Sequence, residues 1–285
     1  MNAPAANALA PRPAAMLAAP DFTPDDMAFF AGELRMRTGI VLAASKAALV
    51  VRRLAPRMRE LGCAQFADYR RLLADPAAEE WNRVVELLTT NHSHFFREVH
   101  HFKLLSRHIR AGRAAGQTRF RLWSAACAAG QEPYSMAMLL LHLGNGQVAD
   151  DTRILATDID RSVLGAAEAG LFGAEDVRHL PGFAKPYLLE AGDGRFAVAP
   201  EARDLVRFKA HNLIGADWPM KGPFDAIFCR NMLIYLAPAD QAKVVARLAG
   251  LLSVGGILCL GHSEIARDAS LPLTRLEVPS SYVRL

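Results

Sequence analysis

From about Arg119 the chain alternates short apolar runs with stretches of helical spacing, and this limits the folds open to it more than any other feature. Phe120–Ser124 precedes Pro133–Leu143, Arg153–Thr157 precedes Arg161–Ala169, and Phe224–Cys229 precedes Ala239–Leu252, with Gly256–Leu260 as the last run. Strand and helix in this order build a parallel sheet with helices on its faces. Ala226-Ile227-Phe228-Cys229 is continuously apolar, as a strand covered on both sides must be. Between Gly170 and Phe208 the alternation gives way to Pro, Gly and short β-like runs (Arg195–Val198, Leu205–Phe208), which read as a small antiparallel insertion.

The residues before Arg119 read as helices. Thr23-Pro24-Asp25-Asp26 is a helix start, with Thr23 as cap, Pro24 at the first helical position and Asp26 closing a capping box. Met27, Phe30 and Leu34 recur at helical spacing up to Gly39. Ser45 opens a second helix to about Leu61, with a kink expected at Pro56. A third helix carries Phe66, Tyr69, Leu72 and Leu73, and a fourth carries Trp81, Val84, Val85 and Leu88. The division expected is a disordered Ala/Pro-rich tail at residues 1–20, a helical domain at 21–90, and an α/β domain at 91–285 with its insertion at about 170–208.

The 285 residues carry a net charge of +4, too little to point to nucleic acid. The charge is uneven: Asp21–Trp123 holds 17 Lys/Arg against 11 Asp/Glu, so an acidic partner is expected at the N-terminal half. Cys63, Cys127, Cys229 and Cys259 form no C-x-x-C pair, which argues against cysteine-bound zinc and fits a reduced, cytosolic setting. No apolar run reaches the roughly 18 residues of a membrane-spanning helix, and the first 20 residues lack the basic start of a secretion signal.

Four constellations carry chemistry. Ser124–Ser135 turns from the first strand into a helix over small residues, which admits a ligand close to the backbone or makes a plain turn. With one Gly it is a poor dinucleotide fingerprint, and a phosphate-free adenosine ligand bearing a cationic sulfonium fits better, with Glu132 supplying negative charge. Asp158, directly after the second strand, is placed to accept from ribose hydroxyls, whereas Asp160 is placed to cap the helix at Arg161. Thr89–Glu98 packs hydroxyls, an amide, two aromatics and charge between the two domains. Phe95 and Phe96 there read as core anchors, and the spacing of His92, His94, His100 and His101 matches no metal-binding helix pair. Arg230-Asn231 end the Phe224–Cys229 run, where open α/β sheets bind ligands.

Together Thr89–Glu98, Trp123–Met138, Ala156–Asp160 and Phe224–Leu236, supported by His211-Asn212-Leu213 and Gly261-His262-Ser263-Glu264, resemble the CheR family of chemoreceptor glutamate methyltransferases over roughly residues 21–285. The resemblance implies a Rossmann-like S-adenosylmethionine (SAM)-dependent methyltransferase domain with a small antiparallel β-subdomain insertion, preceded by an all-α domain. It implies cofactor contacts at Asn91, Ser93, Arg97, Glu132, Asp158, Asn212, Leu213, Arg230 and Asn231, with S-adenosylhomocysteine as product and no metal. Arg97 and Tyr235 are the expected catalytic groups, holding the acceptor carboxylate, although Tyr235 has packing as its other reading. Ser93 stands where the family usually has Thr, and Gln131 where it often has Glu, which removes a negative charge near the sulfonium.

Arg52, Arg53, Arg57 and Arg59 on the second helix are either a solvated face or, as the resemblance implies, the dock for the cytoplasmic acidic helical region of a receptor. Relatives that grip a receptor's C-terminal tether use a longer Gly-rich loop than Leu189–Arg195, so tether-independent action is expected. Neither nucleic acid nor direct membrane insertion is expected. The competing reading is a non-catalytic SAM- or nucleotide-binding regulatory module.

Overall fold

The computed structural model describes residues 21–149 and 151–285; the expected tail at 1–20 lies outside them. The N-terminal helices are α1 (Pro24–Thr38), α2 (Ala47–Glu60), α3 (Phe66–Leu72) and α4 (Glu80–Leu88). The capping box at the head of α1 is formed: Asp26 N donates to Thr23 Oγ1 at 3.2 Å and Thr23 N to Asp26 Oδ2 at 3.0 Å. Ser45 falls inside a 3-10 turn, Ala44–Lys46, rather than capping α2. Phe30, Leu34, Val50, Leu54, Phe66, Tyr69 and Trp81 close a core of their own. Leu72 turns to solvent while Leu73 is buried.

The second body begins with α5 (Val99–Ala114), β1 (Arg121–Ser124), α6 (Gln131–Leu143), β2 (Arg153–Asp158) and α7 (Arg161–Ala169). The insertion follows as β3 (Leu171–Gly173), α8 (Ala174–Val177), β4 (Leu188–Glu190) and β5 (Arg195–Val198). Then come α9 (Pro200–Arg203), β6 (Val206–Ala210), β7 (Phe224–Cys229), α10 (Pro238–Leu251), β8 (Leu252–Leu260), β9 (Leu273–Arg275) and β10 (Ser281–Arg284). The main sheet has the order β6-β2-β1-β7-β8-β10-β9; its first five strands are parallel, and β10 and β9 pair antiparallel.

Side chains alternate across this sheet with period two. Leu122, Phe228, Ile257 and Cys259 pack under α5 and α6. Trp123, Ile227, Cys229, Leu258 and Leu260 pack under α10. Both faces are therefore apolar, which explains the unbroken run in β7.

The small sheet, β3-β5-β4, is antiparallel and ends at Val198. The Leu205–Phe208 run, expected within it, instead forms the edge strand β6 beside β2. Its alternating burial is that of a half-exposed edge, so in sequence it looks like an antiparallel strand. Likewise the polar residues after β7 do not enter a helix directly. A 3-10 turn at Leu233–Tyr235 intervenes, and α10 begins at Pro238. Among the described residues no helix is long and apolar enough to cross a membrane.

Candidate functional site

The sheet order reverses between β1 and β7, and the carboxyl ends of such strands frame a ligand crevice. A cavity of about 440 Å³ opens there, within the roughly 300–1,000 Å³ of small-molecule sites. Asn91, Ser93, Arg97, Glu132, Asp158, Asn212, Leu213, Arg230, Asn231 and Tyr235 all line it. Arg52, Arg53, Arg57 and Arg59 do not. Thr38, Ile40–Ala43, Lys46 and Leu49 of the helical domain close the opposite wall, tied down where Val41 N donates to Tyr235 O at 2.8 Å.

Asp158 ends β2 and is buried. Its Oδ2 accepts from Ala128 N at 2.9 Å and its Oδ1 from Asp160 N at 3.0 Å. Burial pushes its pKa up while those backbone N–H groups oppose the rise. Each oxygen keeps a second lone pair for a hydroxyl donor. Asp160 caps α7, accepting from Ser162 N at 2.9 Å and Val163 N at 3.2 Å. Its other oxygen accepts from Thr89 Oγ1 at 3.1 Å and from Asn91 Nδ2, which fastens the inter-domain segment to the head of α7.

Glu132 sits in the first turn of α6 behind Gly130, whose φ of +94° suits glycine, and where a Cβ would press on Ala167 and Tyr134. Its carboxylate accepts from Ser124 Oγ at 2.7 Å and lies 3.3 Å from Arg230 Nη1. Burial raises its pKa and the Arg230 guanidinium pulls it down. Much of its charge is thus met by Arg230 rather than left for a cationic ligand. Gln131 is buried beside it, off the cavity wall.

Arg230, with a side chain only 2% exposed, also lies 3.7 Å from Glu98 Oε2, and its Nη2 donates to the Arg97 carbonyl. Asn231 donates its amide to Glu98 Oε1 at 3.1 Å. Asn212 is spent on the scaffold, Nδ2 to Arg37 O at 2.6 Å and Oδ1 from Ile214 N at 3.1 Å. Arg97 donates to His92 O at 3.0 Å. Phe96, Glu98, Ala128 and Asn231, all at or beside the cavity, have φ between +47° and +58°. Such strain persists where the surroundings over-determine it, as at binding sites.

Glu98, His100 and His101 each bring one ligand-type atom within 4.8 Å of the others. Burial pushes the His101 pKa down to about 4, so its ring is neutral at pH 7. Its Nε2 meets Pro279 O at 2.9 Å and its Nδ1 stands 3.3 Å from Glu98 Oε2. The Arg230 guanidinium already faces that same oxygen, and a metal ion would have to share it.

The basic helix divides in two. Arg57 makes a bidentate pair with Glu80 (2.9 and 2.8 Å), and Tyr69 OH donates to the same carboxylate at 2.8 Å. Arg53 caps the end of α4, donating to Leu87 O at 3.2 Å and to Thr89 O. Arg52 and Arg59 are exposed.

Sequence reasoning missed the wall from the helical domain and Glu98 as a hub, and it named Glu264 only within Gly261-His262-Ser263-Glu264, with no role of its own. Glu264 follows the carboxyl end of β8, so the rule that singled out Arg230-Asn231 also reaches it.

A parallel α/β sheet with a switch-point cavity and an acid at the end of β2 places the second domain among the doubly wound, nucleotide-binding α/β folds. The family models "CheR methyltransferase, all-alpha domain" and "CheR methyltransferase, SAM binding domain" match residues 25–89 and 91–279, and the chain belongs to the CheR methyltransferase family. It is 42% identical over 243 residues to a chemotaxis protein methyltransferase of Klebsiella aerogenes, covering 81% of each chain. To that of Escherichia coli it is 40% identical over 233 residues, covering 80% of each. To chemotaxis protein methyltransferase 2 of Pseudomonas aeruginosa it is 39% identical over 247 residues, covering 85% of this chain and 87% of the relative.

Proposed function

We propose that this chain transfers the methyl group of SAM to glutamate side-chain carboxylates of chemoreceptors in the cytoplasm, leaving a glutamate methyl ester and S-adenosylhomocysteine. The observation that carries the reading is the meeting of Asp158, Glu132 and the Arg230–Tyr235 segment on one cavity, in a chain of this family. The residues fit SAM: Asp158 keeps lone pairs for ribose hydroxyls, Ala125, Ala126 and Ala128 leave room for a flat ring, and no phosphate has to be met.

Bound SAM supplies a methyl group on a positively charged sulfur. A new bond joins a glutamate oxygen to the methyl carbon as the carbon–sulfur bond breaks and its electron pair returns to sulfur. The acceptor, with a pKa of about 4.3, is ionised at pH 7, so no residue has to take a proton from it. The protein's work is alignment and exclusion of water. Arg97 spends one donor on His92 O and offers the rest of its planar fork to the incoming carboxylate. The Tyr235 hydroxyl orients the second oxygen from across the cavity mouth, where the residue is 37% exposed.

Arg52 and Arg59 steer the acidic helical region of the receptor toward this mouth, while Arg53 and Arg57 hold the helical domain in shape. The β4–β5 hairpin turns tightly, with Ala191 N donating to Arg195 O at 2.9 Å, and supports action without a receptor tether. Tight binding of a receptor C-terminal pentapeptide would overturn that part.

The test is transfer from methyl-labelled SAM to receptor-containing membranes, scored as base-labile methanol. The expected result is base-released label that is lost with Arg97→Ala and falls at least tenfold with Tyr235→Phe. SAM binding with no transfer to any receptor would refute the reading.

A further inference from the structure

Glu264 stands off the cavity and has no part in the reading so far. It is 4% exposed, and among the described residues no cationic side chain lies within salt-bridge distance of it. Its carboxylate is spent on backbone donors. Oε2 accepts from Gly261 N at 2.6 Å and Asn231 N at 3.0 Å, and Oε1 accepts from Ile234 N at 3.1 Å. A buried carboxylate without a cation is costly unless hydrogen bonds replace its water; here burial pushes the Glu264 pKa up and the three N–H groups offset part of that rise.

Two of those donors belong to the segment after β7. That segment departs from any regular path: Asn231 takes φ +58°, a left-handed conformation that costs most residues roughly 1–2 kcal/mol and that Asn tolerates better than they do. The carboxylate holds Asn231 by its backbone while Glu98 holds its side-chain amide at 3.1 Å. Gly261 lets the clamp close. A Cβ there would lie 2.6 Å from Asn231 N and 2.7 Å from Glu264 Oε2.

We propose that Glu264 is a positioning residue for methyl transfer, fixing the Arg230–Tyr235 segment so that Arg230, Asn231 and Tyr235 meet the cavity in one arrangement. This rests on the reading of the cavity as a SAM site. The carboxylate form is required. Three N–H groups need both oxygens, and an amide in its place turns one end into a donor facing a donor. No group of Glu264 touches substrate; it acts through the segment.

The test compares Glu264→Gln with the unchanged full-length protein. S-adenosylhomocysteine affinity is measured by calorimetry, and turnover on receptor membranes is expressed per calorimetric binding site. The expected result is a stoichiometry near one, affinity weakened several-fold, and turnover per site lowered about tenfold. A purely structural Glu264 would lower the melting temperature and the number of binding sites but leave affinity and turnover per site unchanged, which overturns the proposal. If Glu264→Gln does not fold, Gly261→Ala decides, since it keeps the carboxylate and crowds the clamp from the other side. It is expected to give the same losses, and unchanged values overturn the proposal. A native protein inert toward every receptor counts against the function proposed above, not against the clamp, which is then decided by S-adenosylhomocysteine affinity alone.

Discussion

Replacing Arg230 with methionine strands the buried Glu132 carboxylate and the half-buried Glu98 carboxylate. The guanidinium lies 3.3 Å from Glu132 and 3.7 Å from Glu98. At an effective dielectric constant near 20 these separations correspond to gross attractions of about 5 and 4.5 kcal/mol. Desolvation offsets most of this in the native protein, but removing one partner leaves the penalty without the attraction, at about 3–5 kcal/mol. A stranded carboxylate can escape by taking a proton. For a group with an ordinary pKa of about 4.3, that costs about 4.4 kcal/mol at pH 7.5 and about 1.6 kcal/mol at pH 5.5. The two routes agree on the size of the loss, and the second makes it depend on pH.

The sign follows from linkage. Burial already raises the Glu132 pKa and Arg230 opposes it, so without Arg230 the folded pKa stands well above the unfolded one. The variant is then least impaired near and below the unfolded pKa, and loses stability as pH rises through the folded value. Calorimetric unfolding of both proteins at pH 5.5, 6.5 and 7.5 measures this. The relevant transition is the one S-adenosylhomocysteine shifts in the native protein, because the helical domain has its own core. The expected deficit is about 4 kcal/mol at pH 7.5, shrinking by roughly 2–3 kcal/mol at pH 5.5. A deficit below about 1 kcal/mol at pH 7.5, or one that does not change with pH, refutes the network as drawn.

Asp158→Asn, which puts an amide where two backbone N–H groups donate, is expected to weaken S-adenosylhomocysteine binding about tenfold or more by calorimetry. Joint charge reversal at the exposed Arg52 and Arg59 is expected to raise the receptor KM several-fold, less so at high salt, with cofactor affinity and melting temperature unchanged. Arg57→Ala, which leaves Glu80 and Tyr69 short of a partner, is expected to destabilise the helical domain by about 1–3 kcal/mol in urea titration. Receptor KM should then change only as far as the domain unfolds.

The parallel sheet was legible because its evidence is local. β7 is buried on both faces, so every residue from Ala226 to Cys229 had to be apolar, and the run announced itself. The cap of α1 and the cap of α7 were legible for the same reason, since donor and acceptor lie within three residues. β6 was assigned to the wrong sheet because an edge strand half open to solvent carries the alternation of an antiparallel one. Arg53 and Arg57 show the complementary limit. Their spacing on one helix face is a local fact, but their partners on α4 and just beyond its end lie 23 to 37 residues away, and only the fold says whether an arginine meets solvent or a carbonyl.

The same distinction separates the cavity's contact residues from what holds them. Asp158 and Arg230-Asn231 sit at strand ends, where topology alone marks a position as a site. Glu98 and Glu264 act on Asn231 from 133 and 33 residues away, and neither belongs to a regular element. Nothing in their neighbourhood predicts the left-handed turn at Asn231 that both serve. Asn is one of the few non-glycine residues that enters the left-handed region readily, so residue type permits φ +58° at Asn231 without requiring it. The conformation is held because two carboxylates, one on the side chain and one on the backbone N–H, grip that residue, and because Gly261 leaves them room. The site is therefore stiffest where its sequence looks least regular, and its geometry belongs to the carboxylates behind the wall as much as to the residues that form it.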